Sequence, residues 1–92
     1  MLKITRVNKS NQEVTLHLDG SVTGKWIDLL SESAESVLAA GLHLTLDCEN
    51  IWFIDCDGVA LIKSLIRRGV RQVNAPMFVR EQIGKCEEAK GD

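Results

Sequence analysis

The sequence has little of several features that define specialised classes of protein. It has three cysteines, an odd number, and they form no Cys-x-x-Cys motif and no Cys/His pair at zinc-ligand spacing. This pattern predicts free, buried thiols in a reducing cytoplasm rather than a disulfide-bonded secreted protein. No apolar run approaches the ~18 residues of a membrane span. The opening residues MLKITRV do not have the pattern of a signal peptide.

Long runs of charge are also missing from the sequence. The formal net charge is −2 and the longest basic run is Arg67-Arg68, which argues against nucleic acid as a partner. The cluster of Arg67, Arg68 and Arg71 is predicted to be a solvated basic face. There is no repeat or linker, and 92 residues suffice for one domain with one core. The sequence therefore predicts a single domain over residues 1–92, with residues 83–92 as a polar, partly frayed tail.

Two segments near the start alternate apolar and polar residues. Leu2 and Ile4 lie on one face of LKITRV. Val14, Leu16 and Leu18 lie on one face of EVTLHLDG. A period of two predicts half-buried strands, and the polar NKSNQE between them predicts an antiparallel hairpin.

Three later segments have the period of a helix. The first ends near Gly41, the second runs from Gly58 to Gly69, and the third has Pro76 in its first turn. Their apolar residues recur at three- and four-residue steps. These residues are Trp26, Leu29, Leu30, Ala34, Val37 and Leu38 in the first, Val59, Leu61, Ile62, Leu65 and Ile66 in the second, and Met77, Phe78, Val79 and Ile83 in the third.

The remaining apolar stretches predict two further strands. LHLTLD and IWFI are joined by Cys48, Glu49 and Asn50, and this nearly continuous apolar run is typical of a central strand covered on both faces. VRQV predicts one more short strand. The order is therefore β-β-α-β-α-β-α, in which strand-helix-strand units favour parallel pairing with right-handed crossovers. We predict a single-domain α/β fold with a mixed, mostly parallel sheet, an antiparallel N-terminal hairpin, and helices packed against it.

The candidate functional residues lie where the central strand ends. The stretch FIDCDGVAL places Asp55 and Asp57 directly before Gly58. It resembles the first motif of the haloacid-dehalogenase-like phosphatases, and that resemblance implies Asp55 as nucleophile and Asp57 as acid/base residue, with magnesium. That family also needs a Ser/Thr, a lysine and a further acidic pair at later strand ends, and residues 58–92 do not supply such a set. The phosphatase remains a remote alternative.

A metal-binding loop is the second interpretation, and the spacing excludes it. In a calcium-binding EF-hand loop the glycine stands further from the first aspartate than Gly58 stands from Asp55. The EF-hand loop also has a glutamate at its twelfth position, and this sequence has none there. His43, Asp47 and Cys48 also lack metal-ligand spacing. The sequence therefore predicts no metal ion, no cofactor and no catalytic residue.

The chain as a whole resembles the STAS domain, a family that includes bacterial anti-sigma-factor antagonists and the cytoplasmic tails of sulfate transporters. The resemblance covers residues 2–83 and depends on the order of the elements and the spacing of a set of residues. The set comprises Leu46, Asp47, Ile51, Phe53, Ile54, Asp55, Gly58 and Leu61.

This resemblance implies a non-enzymatic protein-interaction module of the bacterial cytoplasm that acts in a partner-switching circuit, without membrane insertion. The implied partner-binding loop comprises Asp55, Cys56, Asp57, Gly58 and Val59. The implied partner is an anti-sigma factor or a serine-kinase-like ATPase. A rival within the family is an accessory subunit of an ABC-type lipid transporter, whose partners would be transporter subunits. Formation of a homo-oligomer is left open.

Asp57 stands where the anti-sigma-factor antagonists carry the serine that a kinase phosphorylates. Neither Asp57 nor Cys56 is a substrate for a serine kinase. Three interpretations of Asp57 stay open: a permanent partial phosphomimic, an acidic contact for a different partner, or a residue that only favours the helix N-terminus. Asp55 is predicted to cap that helix, and Gly58 to permit a tight turn with no side chain toward the partner. Cys56 is predicted to be a small buried residue rather than a redox sensor.

Overall fold

A computed structural model describes the backbone of residues 1–89 and the side chains of residues 1–84. The secondary-structure elements follow one another in the predicted order β-β-α-β-α-β-α. They are β1 (Leu2–Asn8), β2 (Glu13–Val22), α1 (Lys25–Ala39), β3 (His43–Ile54), α2 (Cys56–Arg67), β4 (Arg71–Val73) and α3 (Met77–Ala89). Within residues 1–89, no helix combines the length and the apolar character that crossing a membrane requires.

The strands form one sheet in the order β1-β2-β3-β4. β1 and β2 pair antiparallel through the hairpin, from Leu2 opposite Gly20 to Asn8 opposite Val14. β3 pairs parallel with both β2 and β4. The predicted mixed, mostly parallel sheet is therefore confirmed. Its parallel pairs arise because α1 connects β2 to β3 and α2 connects β3 to β4.

The central strand β3 contributes one face to the core. Leu44, Leu46 and Cys48 are buried, whereas Thr45 is only half-buried and Glu49 is exposed. The prediction that this strand is covered on both faces is wrong, because polar residues alternate with the apolar ones and line an open second face. The helix residues that complete the core are Leu30, Ala34, Val37, Val59, Ile62, Leu65 and Val79. Other residues that the helical period placed on the apolar side remain exposed, namely Leu29, Ile66, Met77 and Phe78.

The ends of the first two helices follow the glycine and capping signals. Gly41 and Gly69 have positive φ angles of 78° and 95°, as glycines after a helix commonly do. Helix α2 begins at Cys56 rather than after Gly58, because Asp55 already provides its N-terminal cap. The start of α2 therefore includes most of the loop that the sequence analysis treated as a separate turn.

The last helix is longer than the sequence indicated. Pro76 directly precedes α3, as its fixed φ favours, and the helix continues to Ala89. The predicted tail of residues 83–92 therefore begins within a helix. Residues 90–92 lie outside the described part of the chain, and fraying of the tail stays a prediction.

One arginine of the predicted basic face joins α2 to α1. Arg68 Nη2 donates to Glu35 Oε1 at 3.2 Å, and Arg68 Nη1 donates to Glu35 Oε2. The hydrogen bond lowers the pKa of Glu35 and raises that of Arg68. Both side chains are exposed, so solvent screens this pair and its contribution to stability is small.

Candidate functional site

The loop between β3 and α2 consists of a single residue, Asp55. Its backbone is extended, with φ −97° and ψ 179°, and its Oδ1 accepts a hydrogen bond from the Gly58 backbone N–H at 2.8 Å. The Asp55 carbonyl accepts from the N–H of Val59 at 2.9 Å, which starts the helical hydrogen-bond pattern. The predicted capping role of Asp55 is therefore confirmed, and the carboxylate also lies at the positive end of the helix dipole.

Gly58 is required by the close approach of α2 to the end of β2. It lies inside the helix and is buried, and a Cβ added to it would be 2.5 Å from the Val22 carbonyl oxygen and 2.9 Å from Ile54 Cγ1. The same Val22 oxygen accepts from the Asp55 N–H at 3.4 Å. The interpretation of Gly58 as a turn residue that leaves room for a partner is therefore wrong. Its missing side chain leaves room for the protein's own backbone.

Exposure divides the predicted partner-binding loop into two groups. Gly58 and Val59 are buried and Asp55 is half-buried, whereas Cys56 and Asp57 are exposed. The prediction that Cys56 is buried is wrong, because the first turn of α2 directs it away from the core. Asp57 lies in this same first turn, where the helix dipole favours a carboxylate. Cys56 and Asp57 are therefore the two residues of this loop that solvent reaches, and the other three residues are held in the fold.

The other cysteine with a described side chain is inert. Cys48 is buried in β3, and burial, together with the neighbouring Asp47 carboxylate, raises the pKa of its thiol to about 12. A thiol with such a pKa is protonated at neutral pH and is a poor nucleophile. Cys86 lies outside the described side chains.

Asp47, one of the residues that carry the family resemblance, joins three strands on the open face of the sheet. Its Oδ2 lies 3.2 Å from Nδ1 of His17 on β2. Its Oδ1 accepts from the Glu49 N–H at 3.1 Å and from Asn74 Nδ2, just after β4, at 3.3 Å. The carboxylate is thus used to hold the sheet together. Among the described residues, no group of three His, Cys, Asp or Glu side chains is placed to hold a metal ion.

Sequence reasoning missed a hydrogen bond that holds the end of β3. β4 pairs with β3 at residues Thr45 to Asp47, well before β3 ends at Ile54. Where β4 no longer pairs with β3, the Nε2 atom of Gln82 in α3 donates a hydrogen bond to the Ile54 carbonyl oxygen at 2.9 Å. A glutamine in a helix gives no local signal of such a contact, because the contact depends on where β4 stops.

Sequence reasoning also missed two exposed aromatic residues next to the loop. Trp52 is 68% exposed and Phe53 is 48% exposed, although their position in an apolar run predicted a buried strand. The cause is an irregular register: Gly20 pairs with Ile51 and Ser21 with Phe53, so Trp52 has no partner on β2. A β-bulge of this kind has no reliable signal in a single sequence.

Comparison with known proteins establishes the family. The model of the STAS domain family matches residues 4–81, which is most of the chain, so the chain belongs to the STAS domain family. Its fold is similar to that of the anti-sigma factor antagonist SpoIIAA, solved in its unphosphorylated form, with a TM-score of 0.73. That match has 16% sequence identity and covers 89% of this chain and 78% of that chain, so it shows the fold alone. A search of curated protein sequences found no significant match.

Proposed function

We propose that this STAS domain is a non-enzymatic interaction module of the bacterial cytoplasm, similar in role to the anti-sigma-factor antagonists, and that its β3–α2 loop binds the partner. The partner is an anti-sigma factor or a serine-kinase-like ATPase of a partner-switching circuit. The observation that carries the proposal is that Asp57 is an exposed carboxylate in the first turn of α2. The resemblance of the motif implies that it takes the family's phosphoserine position.

The surroundings of Asp57 support a binding role because they keep the loop rigid. The Asp55 cap fixes the first turn, and Gly58 is confined against the Val22 carbonyl oxygen. Val59 is fully buried and anchors the same turn in the core. A loop that is ordered before binding loses little conformational entropy when a partner docks.

In this proposal Asp57 acts as a permanent, partial substitute for phosphoserine. It offers one negative charge and two oxygens, whereas a phosphoserine carries about −1.5 to −2 charges and three oxygens at neutral pH. Arginine or lysine of the partner is the expected counterpart, because a charged pair at an interface steers association and selects between partners.

The geometry favours this proposal over the phosphatase alternative. The Oδ1 atom of Asp55 is engaged by the Gly58 N–H, which gives the carboxylate a structural role. An assay of a generic phosphate ester with magnesium tests the alternative directly. If the chain hydrolyses the ester and Asp55→Asn abolishes that hydrolysis, the chain is an enzyme and the proposal is wrong.

The proposal is tested by finding the partner and measuring its affinity for matched variants. Affinity purification with the tagged chain from the native cytoplasm identifies the partner, which is then purified and titrated against wild type, Asp57→Asn and Asp57→Ser. Glu13→Gln is the control, because Glu13 is also an exposed acid. It lies beside His43 in the β2–β3 register, at the end of β3 that is remote from the candidate loop.

We expect Asp57→Asn to weaken binding roughly fivefold or more, the effect of losing about 1 kcal/mol of a charged contact, and Glu13→Gln to leave it unchanged. If the partner is a serine kinase, Asp57→Ser restores a phosphate acceptor, and adding ATP then changes the affinity of that variant alone. If all four proteins bind with equal affinity, with and without ATP, Asp57 does not contribute to binding.

A second candidate function is the accessory subunit of an ABC-type lipid transporter. The observation that favours it is the absence of a hydroxyl group at both exposed positions of the loop, Cys56 and Asp57. The same purification separates the two functions, because this candidate requires transporter subunits as the recovered proteins and no effect of ATP on Asp57→Ser.

A further inference from the structure

The first strand, β1, is an edge of the sheet with no strand on its outer side within residues 1–89. An edge strand presents unpaired backbone N–H and C=O groups, and proteins usually blunt such edges with proline, a bulge, charge or a very short strand. β1 has seven residues, contains no proline and keeps a regular register with β2 from Leu2 to Asn8. The backbone of its outer edge is therefore able to pair with a further strand.

The backbone groups on the outer edge belong to every second residue of β1. The Ser21 N–H donates to the Met1 carbonyl and the Lys9 N–H donates to the Glu13 carbonyl, both at 2.8 Å. Hydrogen-bonded and non-hydrogen-bonded pairs alternate along antiparallel strands, so the odd-numbered residues of β1 bond to β2. The N–H and C=O groups on the outer edge therefore come from the even-numbered residues, namely Leu2, Ile4, Arg6 and Asn8.

We propose that the outer edge of β1 pairs antiparallel with the same edge of a second copy of this chain, so that two four-stranded sheets become one. All four even-numbered residues pair when the two-fold axis passes beside Thr5. Leu2 then lies opposite Asn8 of the second copy, and Ile4 lies opposite Arg6. A shift by two residues leaves one end unpaired and places Ile4 or Arg6 opposite its own equivalent. The proposal uses no residue of the candidate loop, so it is independent of the proposed function.

The charged residues of β1 meet apolar residues in this register. Lys3 would lie opposite Val7 of the second copy, and Arg6 would lie opposite Ile4. Like charges directly opposite each other destabilise a pair of strands, and neither basic residue meets its own equivalent here. Thr5 meets its own equivalent, and a pair of threonines across strands is favourable. The charges that would blunt this edge therefore do not oppose its pairing with itself.

The positive groups at the two ends of β1 are offset within their own chain. The Met1 ammonium donates to Ser21 Oγ at 3.0 Å, so it is directed toward β2 and away from the outer edge. A carboxylate-bearing residue of β2 also stands opposite each lysine of the hairpin, with Asp19 opposite Lys3 and Glu13 opposite Lys9. The edge as a whole is therefore close to neutral, and two copies are not kept apart by charge.

The helix side of β1 provides a contact that a second copy completes. Helix α1 packs mainly on β2 and β3, which leaves Ile4 half-buried and Leu29 40% exposed. Both residues line a groove together with Arg6 and Glu32. Within residues 1–84, the Glu32 carboxylate has no ion-pair partner. Residues directly opposite each other in an antiparallel sheet point to the same face, so Arg6 of the second copy would enter this groove from beside Ile4.

Self-complementarity is what identifies a second copy as the occupant. Its strand pairs every outward backbone group, and its arginine supplies the cation that Glu32 lacks. The two sides of a two-fold contact are identical, so each of these interactions is made twice. The expected assembly is a dimer in equilibrium with the monomer, because an interface of one strand and one groove is small.

The first test measures the oligomeric state of charge-swapped variants by sedimentation over a range of concentrations. We expect a monomer–dimer equilibrium for the untagged wild-type chain. Arg6→Glu should raise the dimer Kd about tenfold or more, because it places an acid beside Glu32. Adding Glu32→Arg to that variant should restore the Kd to within about threefold of wild type. Arg71→Glu is the control, because Arg71 is an exposed arginine on β4, at the other edge of the sheet. Thermal unfolding establishes that each variant is folded.

The second test measures the register by disulfide formation. The Cα atoms of Thr5 and its equivalent would be about 4.5 Å apart as a non-hydrogen-bonded pair, within the range of a disulfide. Lys3 and its equivalent would be about 14 Å apart along the strands. Thr5→Cys should therefore form a disulfide-linked dimer under mild oxidation at least about tenfold faster than Lys3→Cys. Both variants also carry Cys56→Ser and Cys86→Ser, which leaves only the buried Cys48 as a further thiol.

Several results would overturn the inference. They are a wild-type chain that stays monomeric at about millimolar concentration, a dimer that Arg6→Glu leaves unchanged or that the double variant fails to restore, and equal rates of disulfide formation at positions 3 and 5. Hydrogen exchange of the Ile4 and Arg6 amides identifies a different occupant. If these amides become protected only when native cell extract is added to the monomeric chain, another protein binds this edge and the dimer is wrong.

Discussion

Replacing Gly58 by alanine tests the central structural claim about the site, the tight contact between α2 and β2. The new methyl carbon would lie 2.5 Å from the Val22 carbonyl oxygen and 3.0 Å from Val22 Cγ1, so part of the backbone must move. Overpacking of this kind costs roughly 1–3 kcal/mol. Alanine has a better helix propensity than glycine by up to about 1 kcal/mol, which offsets part of that cost. The net expectation is a loss of about 1–2 kcal/mol in the free energy of unfolding.

Thermal and urea unfolding measure this loss, and Gly84→Ala is the control. Gly84 also lies in a helix, α3, but a Cβ there would meet no atom within 4 Å, so alanine should stabilise the protein by up to about 1 kcal/mol. For a domain of this size, Gly58→Ala should lower Tm by about 4–16 °C, whereas Gly84→Ala should raise it slightly. If Gly58→Ala is as stable as wild type while Gly84→Ala behaves as expected, the close approach of Val22 is not the reason that position 58 requires glycine.

Three further predictions concern β3 and the elements that hold its end. Asp55→Ala should cost about 1 kcal/mol of stability while Asp55→Asn costs much less, because asparagine also caps helices; equal losses in chemical denaturation would mean that charge, not capping, matters. Gln82→Ala should destabilise the protein by about 1 kcal/mol and speed hydrogen exchange at the end of β3; unchanged exchange there would argue against this hydrogen bond. The pKa of Cys48 is raised from 9.0 to about 12, so folding favours the protonated thiol. That stability is fully present below pH 9.0 and is lost as pH rises toward 12, so Cys48→Ala should unfold with a flatter pH dependence between these values; parallel curves for the two proteins would contradict it.

The parts of the fold that depend on local signals were predictable from the sequence. The helical and strand periods gave the correct order of elements, because amphipathic faces are decided by the residues of each element itself. The helix-terminal glycine at position 41 and the cap at Asp55 were also predicted correctly, since both need only a few neighbouring residues. The family resemblance also implied this fold; the family model over residues 4–81 confirmed the family, and the similarity to the SpoIIAA structure confirmed the fold.

The parts that depend on contacts distant in sequence were not predictable. The role of Gly58 in α2 is set by Val22, which lies on β2, and the role of Gln82 is set by the early end of β4. The exposure of Trp52 follows from a register shift between β2 and β3, and an apolar run in the sequence looks the same with or without it. Each of these is a relation between two elements, so the period of a single element carries no information about it.

Burial within the loop determines which variants report on recognition and which report on folding. Gly58 is confined by backbone atoms of β2 and Val59 by the core, so substitutions there change the stability of the protein before they change a partner's affinity. Asp57 is exposed, and its replacement removes a favourable dipole interaction of less than about 1 kcal/mol while it changes the charge of the surface. Weaker binding of Asp57→Asn therefore measures the partner's preference for an acid, since the folded fraction stays almost the same. Gly58→Ala disturbs the contact with Val22 that holds the loop in place. Weaker binding of this variant therefore reports on recognition only after its loss of folding stability has been subtracted.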